Sequence, residues 1–186
     1  MTTKDLIDLS KLTNGRISDR TVFIDFVALC AMAISCAVDC VHADERRKGI
    51  AEILTRYQLK ERSQLFTGLR DLTDAVKTDI EQQRWEDRLG NAFQKLGMSG
   101  KDGIDFTPPD LTRLMARITM GATPTLPPEG YFTVTDPTCG SGITLLAAAE
   151  QLADAGYNPC QHLVMQAADL NRTCAHMAYV NLSLYG

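Results

Sequence analysis

Lysine is missing from the last part of the chain: after Lys101, residues 106–186 hold only Arg113, Arg117 and Arg172 against six acids. A surface that grips nucleic acid displaces counterions with several clustered cations. That stretch is therefore excluded as the phosphate-gripping part. Residues 1–105 carry 16 Lys/Arg against 17 Asp/Glu, so any DNA contact is expected from there or from a partner chain. Long apolar runs are also missing. The longest, "FVALCAMAISCAV", has 13 residues, short of the roughly 20 that span a bilayer, and is expected to be a buried core helix. No basic segment leads into an apolar stretch at the N-terminus, which argues against a secretion signal and for a cytoplasmic protein with no membrane partner.

The six cysteines, Cys30, Cys36, Cys40, Cys139, Cys160 and Cys174, lack the spacing of a disulfide framework and are expected to be reduced thiols. On a helix, Cys36 and Cys40 share a face from which His42 points away, and no second ligand pair follows. They are read as packing residues, with no metal site expected. There is no internal repeat and no low-complexity segment. At 186 residues, 45% hydrophobic and 23% charged, the chain has the composition of a globular protein with one ordinary domain or two small ones.

Residues 1 to about 100 read as helices throughout. "SDRTVFIDFVALCAMAISCAVDCVHA" opens on a Ser18 cap signal, and "ERRKGIAEILTRYQL" and "SQLFTGLRDLTDAVKTDIEQ" follow with apolar residues at three- and four-residue steps. "RWEDRLGNAFQKLG" predicts a further helix, interrupted at Gly90 and closed at Gly97. "MSGKDGID" is the expected domain boundary, giving a helical domain over 1–103 and a second domain over 104–186. In the second, "FTPPDLTRLMARITMGA" predicts a helix with Leu111, Leu114, Met115 and Ile118 on one face. "YFTVTD" predicts a strand, "ITLLAAAEQLADAG" a helix ended by Gly156, "QHLVMQAAD" a strand and "NRTCAHMAYVNLSLYG" a helix. That order predicts an α/β fold built on a parallel βαβ unit. Two strands leave exposed sheet edges, so either the preceding helices cover them or the chain self-associates.

"DPTCGSG" joins the first strand to its helix. Gly140 and Gly142 allow positive φ and close backbone approach, and the amides opening the next helix can face an anion or carboxylate. Asp136 ends one strand and can accept from a ligand ammonium or hydroxyl. Asp169 ends the next and is placed for ribose hydroxyls. Plainer readings stand beside these: the glycines only turn the chain, and Asp169 caps a helix. The loop matches neither G-x-G-x-x-G nor G-x-x-x-x-G-K-[ST], which leaves NAD and ATP poorly supported.

"FTPPDLTRLMA", "DPTCGSGITLLAAAEQL" and "AADLN" with "AHMAYVNLSLYG" together resemble the N6-adenine DNA methyltransferases, closest to the modification subunits of type I restriction systems. "WEDRLGNAF" is similar to that family's lead-in. The resemblance implies a Rossmann-like fold binding S-adenosylmethionine, here only its first βαβ part, behind a helical N-terminal domain. It places Phe106, Thr107 and Pro108 over the methionine end of the cofactor. Asp136, Pro137, Thr138, Gly140, Ser141 and Gly142 form the cofactor loop, Asp169 holds the ribose and Leu170 lies against the adenine ring.

The family's catalytic Asn/Asp-Pro-Pro-Tyr/Phe, which grips the amino group of a flipped base, does not occur here. "TPPD" lacks the Asn and the aromatic, "LPPE" precedes the first strand, and "NPCQ" (158–161) is a turn at the amino end of the second. No catalytic residue is therefore assigned. Two functions fit. One is the cofactor-binding portion of a restriction–modification methyltransferase that meets DNA through the complete enzyme or a partner chain. The other is a non-catalytic protein that binds or mimics a methyltransferase or specificity subunit; in either case a homo-oligomer is the alternative to sheet edges covered by the helices. A methyltransferase acting on protein or RNA fits the three motifs less well.

Overall fold

The computed structural model describes residues 1–98 and 106–186, so the boundary expected at 103/104 lies outside the described residues. The N-terminal layer holds α1 (Thr3–Ser10), α2 (Asp19–Val38), α3 (Ala43–Leu54), α4 (Leu59–Glu81) and α5 (Arg88–Lys95). Local capping sets the starts of α1, α2, α4 and α5. Thr2 and Asp5 form a capping box on α1, and Ser18 accepts from the Thr21 amide to open α2. A Gln58–Glu61 box starts α4 ahead of the periodic stretch that begins at Ser63. Gly90, expected to interrupt the last of these helices, lies inside α5. It is there for space: a Cβ would sit 2.0 Å from Asp87 Oδ2 and 2.6 Å from Ser141 Oγ.

α2 is buried from Val22 to Ala31 except for a half-buried Ile24, but it emerges towards its end, where Val38 is 73% exposed. The expectation of a wholly buried helix thus holds for the first half only. Among the described residues α2 is the one helix long and apolar enough to cross a membrane, and half of that window is buried inside the protein. Asp25 is buried on it, yet satisfied: Arg56 Nη1 and Tyr57 Oη both donate to its carboxylate at 2.8 Å.

The second layer runs α6 (Pro109–Met120), β1 (Phe132–Asp136), α7 (Ile143–Asp154), α8 (Pro159–His162), β2 (Leu163–Ala167) and α9 (Arg172–Tyr185). β1 and β2 pair in parallel, with Phe132 opposite Leu163 and Asp136 opposite Ala167. Phe132, Val134, Leu163 and Met165 are half-buried, whereas Thr133, Thr135, Val164 and Gln166 are exposed. One face of the sheet is therefore open, and α7 and α9 pack against the strands. "NPCQ" forms α8, a single turn that Asn158 caps by accepting from the Cys160 amide.

On α6 the apolar stripe lies where the spacing predicts, but it is uncovered: Ile118 is 74% exposed, and Leu111, Leu114 and Met115 about half. Thr112 and Ala116 are buried instead, small side chains that let α6 approach α7 closely. The two layers share one core. Phe23 and Phe26 of α2, Leu65 of α4 and Phe93 of α5 pack in one cluster with Met177 and Val180 of α9.

Candidate functional site

Five of the sequence-predicted residues meet around one cavity of about 150 Å³: Phe106, Thr107, Asp136, Thr138 and Gly140. Its remaining walls are Met115 of α6, Cys139 of the loop, and Ile143 and Thr144 from the first turn of α7. Met115 carries no sequence signal beyond its helical face, and Thr144 follows the glycine loop without matching any motif. The cavity is smaller than the roughly 300–1,000 Å³ of an ordinary ligand site. A second cavity of about 250 Å³ adjoins it between α6, β1 and α7, sharing Met115, Asp136 and Thr144.

The loop is tied to both strand ends. The Ala168 amide donates to Asp136 O at 3.0 Å and the Cys139 amide to Ala168 O at 2.9 Å, which carries the β1–β2 ladder into the turn. Asp169 Oδ2 accepts from the Gly140 amide at 2.9 Å and its Oδ1 from the Asn171 amide at 2.8 Å. The side-chain cap of α9 is Asn171, not Asp169. Asp136 accepts from the Thr138 amide at 3.0 Å and from the Thr144 hydroxyl. Both carboxylates keep acceptor positions beyond these bonds, since each ionised carboxylate offers about four.

Gly140 has φ +53° and lies under the Phe106 ring, where a Cβ would come within 3.0 Å of ring carbon Cδ1. Phe106 in turn packs on Phe93, with ring centroids 5.4 Å apart. The Phe-Thr-Pro segment is thus held over the loop from the helical layer. Gly142, at φ +88°, opens α7 with no side-chain cap, which leaves first-turn amides of α7 without side-chain partners. Burial, with lesser contributions from Asp169 and Asp136, raises the Cys139 thiol to about 11. It stays protonated at neutral pH and is no nucleophile.

Not every predicted residue faces this cavity. Pro108 stands at the N-cap position of α6 without a side-chain bond, and Leu170 stands fully exposed. Ser141 is completely buried and turns the other way, donating to Asp87, while Gly142 is seated against Ala178 of α9. Asp87 and Asn181 are assigned no role from the sequence and Gly90 only a break in the helix, although Asp87 and Gly90 lie in the quoted lead-in "WEDRLGNAF". Among the described residues no cluster of His, Cys, Asp and Glu could hold a metal.

No curated protein and no solved structure matches the chain. The model of one family, described as N-6 DNA methylase, matches residues 86–186. The match begins beside Asp87 and takes in the Phe-Thr-Pro segment, the glycine loop, both strands and α9, more than half of the sequence. The chain therefore belongs to the N-6 DNA methylase family.

Proposed function

We propose that this chain is the S-adenosylmethionine-holding portion of an adenine-N6 DNA methyltransferase of a restriction–modification system, closest to the modification subunits of type I systems. Its second layer is read as the first βαβ part of a Rossmann-like fold, and residues 1–103 and 104–186 as a helical and a cofactor portion. The observation that carries the reading is the single cavity shared by Phe106, Thr107, Asp136, Thr138 and Gly140. These residues fit the cofactor. Gly140 leaves room for a close approach beneath Phe106, the uncapped start of α7 suits a carboxylate, and Asp136 and Asp169 offer acceptors to an ammonium and to ribose hydroxyls.

When bound, S-adenosylmethionine supplies an electrophilic methyl group; this chain's residues bind and orient it. No Asn/Asp-Pro-Pro-Tyr/Phe occurs in these 186 residues, so on this reading adenine is presented by a further segment or a partner. The open sheet face and the bare stripe of α6 give such a segment a surface to pack on. Because Leu170 is exposed and the cavity small, several contacts await that segment. Each missing hydrogen bond costs about 0.5–1.5 kcal/mol, so the affinity of this chain alone is weak. DNA is met through the completed enzyme.

Calorimetric titration with S-adenosylmethionine tests the reading. Saturable binding that Asp136→Ala abolishes supports it. A folded chain that binds none overturns it and leaves the second reading, which the same uncovered stripe on α6 favours: a non-catalytic partner of modification or specificity subunits, detectable by pull-down with those subunits.

A further inference from the structure

Ser141 is the loop residue whose side chain leaves the cavity, and its destination is unusual. Its hydroxyl donates to Oδ2 of Asp87, a carboxylate only 5% exposed at the N-cap of α5. Oδ1 of the same carboxylate accepts from the Gly90 amide at 2.8 Å and from Asn181 Nδ2 at 2.8 Å. Asn181 also donates to the backbone carbonyl of Ser141 at 3.0 Å. Three donors, from α5, the glycine loop and α9, thus close around one acid, and the residues that carry them are all buried. Gly90 admits no side chain there, since a Cβ would meet the carboxylate and the Ser141 hydroxyl together.

The acid is itself immobilised. Its neighbour Arg88 forks onto Asp79 at 2.8 and 2.6 Å and donates to the Met1 carbonyl at 2.8 Å. Tyr185 Oη, at the far end of α9, donates to the same Asp79 at 3.1 Å. Segment 85–90 is therefore clasped between α4 and α9, and the loop hangs from it by Ser141.

We infer that Asp87 is a positioning residue for the glycine loop: by holding the Ser141 hydroxyl and, through Asn181, the Ser141 carbonyl, it sets where the Gly140 backbone stands beneath Phe106 and the Gly142 backbone against Ala178. Asp87 touches no part of the cavity and acts only through Ser141 and Asn181. What it positions as a ligand site rests on the S-adenosylmethionine reading above; that it positions the loop does not. The helical layer is thereby wired to the loop, and a partner that shifts α5 shifts the backbone that faces the ligand.

Hydrogen exchange on the 186-residue chain, without ligand, tests this. Ser141→Ala cuts the link with little change of volume, and Asp87→Asn is the conservative variant: its Oδ1 still accepts from Gly90 and Asn181 and its Nδ2 can donate to Ser141. The expected result is exchange at least tenfold faster across residues 138–144 in Ser141→Ala, protection in α2 and α4 within twofold of wild type, and near wild-type loop exchange in Asp87→Asn. Unchanged loop exchange in Ser141→Ala, or an equal loss everywhere, overturns the proposal. Titration with S-adenosylmethionine then separates the two claims. If wild type binds, Ser141→Ala should bind at least tenfold more weakly and Asp87→Asn within about threefold, and equal binding by Ser141→Ala overturns the proposal. If wild type binds none, the cofactor reading fails while the exchange result still decides whether Asp87 positions the loop.

Discussion

Gly90 sits where helix propensity and packing disagree. In a helix interior alanine is favoured over glycine by about 1 kcal/mol, and Gly90 lies within α5 without positive φ. Propensity alone makes Gly90→Ala stabilising. The Cβ would, however, stand 2.0 Å from Asp87 Oδ2, and overpacking costs about 1–3 kcal/mol, more where it also breaks buried hydrogen bonds. Gly90→Ala is expected to lower the urea midpoint, and a midpoint equal to or above wild type would refute the clasp. Asp87 makes a pH prediction of definite sign. Burial raises its carboxyl above the ordinary 3.8, outweighing the Ser141, Gly90 and Asn181 bonds that pull it down. The titratable group that feels it is the Cys174 thiol on α9, itself raised to about 12 mainly by burial. A raised carboxyl stabilises the fold fully below its ordinary value and loses that contribution as pH climbs to the raised one. The stability of Asp87→Asn relative to wild type should therefore grow with pH above 3.8 and then level off. A difference that stays constant from acid to neutral pH would mean that Asp87 titrates normally.

At the scale of elements, what could be read from the sequence was what short segments encode by themselves. Ser18 caps its helix, Gly156 ends α7 at φ +85°, and "DPTCGSG" turns between a strand and a helix. The parallel pairing of β1 and β2 followed from element order. The cavity was legible as far as its motifs reached, to Phe106, Thr107, Asp136, Thr138 and Gly140. Asp87 was not, because its partners come from positions 90, 141 and 181 and meet only in the folded chain. Nor was the fate of the α6 stripe, since periodicity names an apolar face without saying what covers it. That face separates two kinds of apolar residue. Ile118, 74% exposed, should tolerate Ile118→Ser within about 0.5 kcal/mol. Leu145→Ala, at a fully buried position of α7, should cost about 2–5 kcal/mol. Urea titrations at two protein concentrations check both. A large loss for Ile118→Ser that grows with concentration would show that copies of the chain cover the stripe in solution.

Across the whole molecule, the N-terminal helical layer and the layer that holds β1 and β2 are distinct in sequence character but not in packing. α9 follows β2 and contacts it, yet its Met177 and Val180 belong to the same core as Phe23, Phe26 and Leu65. Its last turn brings Tyr185 to the buried Asp79 of α4 and stacks it on Trp85, with ring centroids 5.1 Å apart. An element bonded to one layer and buried in the other forces the two to unfold together, because releasing either strips apolar surface from both. Trp85, the only tryptophan, reports on this junction, while far-UV circular dichroism reports mainly on the N-terminal helices. The two signals should trace a single urea transition. Met177→Ala, at a position with no exposed surface, should shift both to the same lower midpoint, with a loss of about 2–5 kcal/mol. Two separated transitions, or a Met177→Ala effect confined to the tryptophan signal, would show instead that the layer holding β1 and β2 folds as a unit of its own, and that the core joining it to the helices contributes little to holding either.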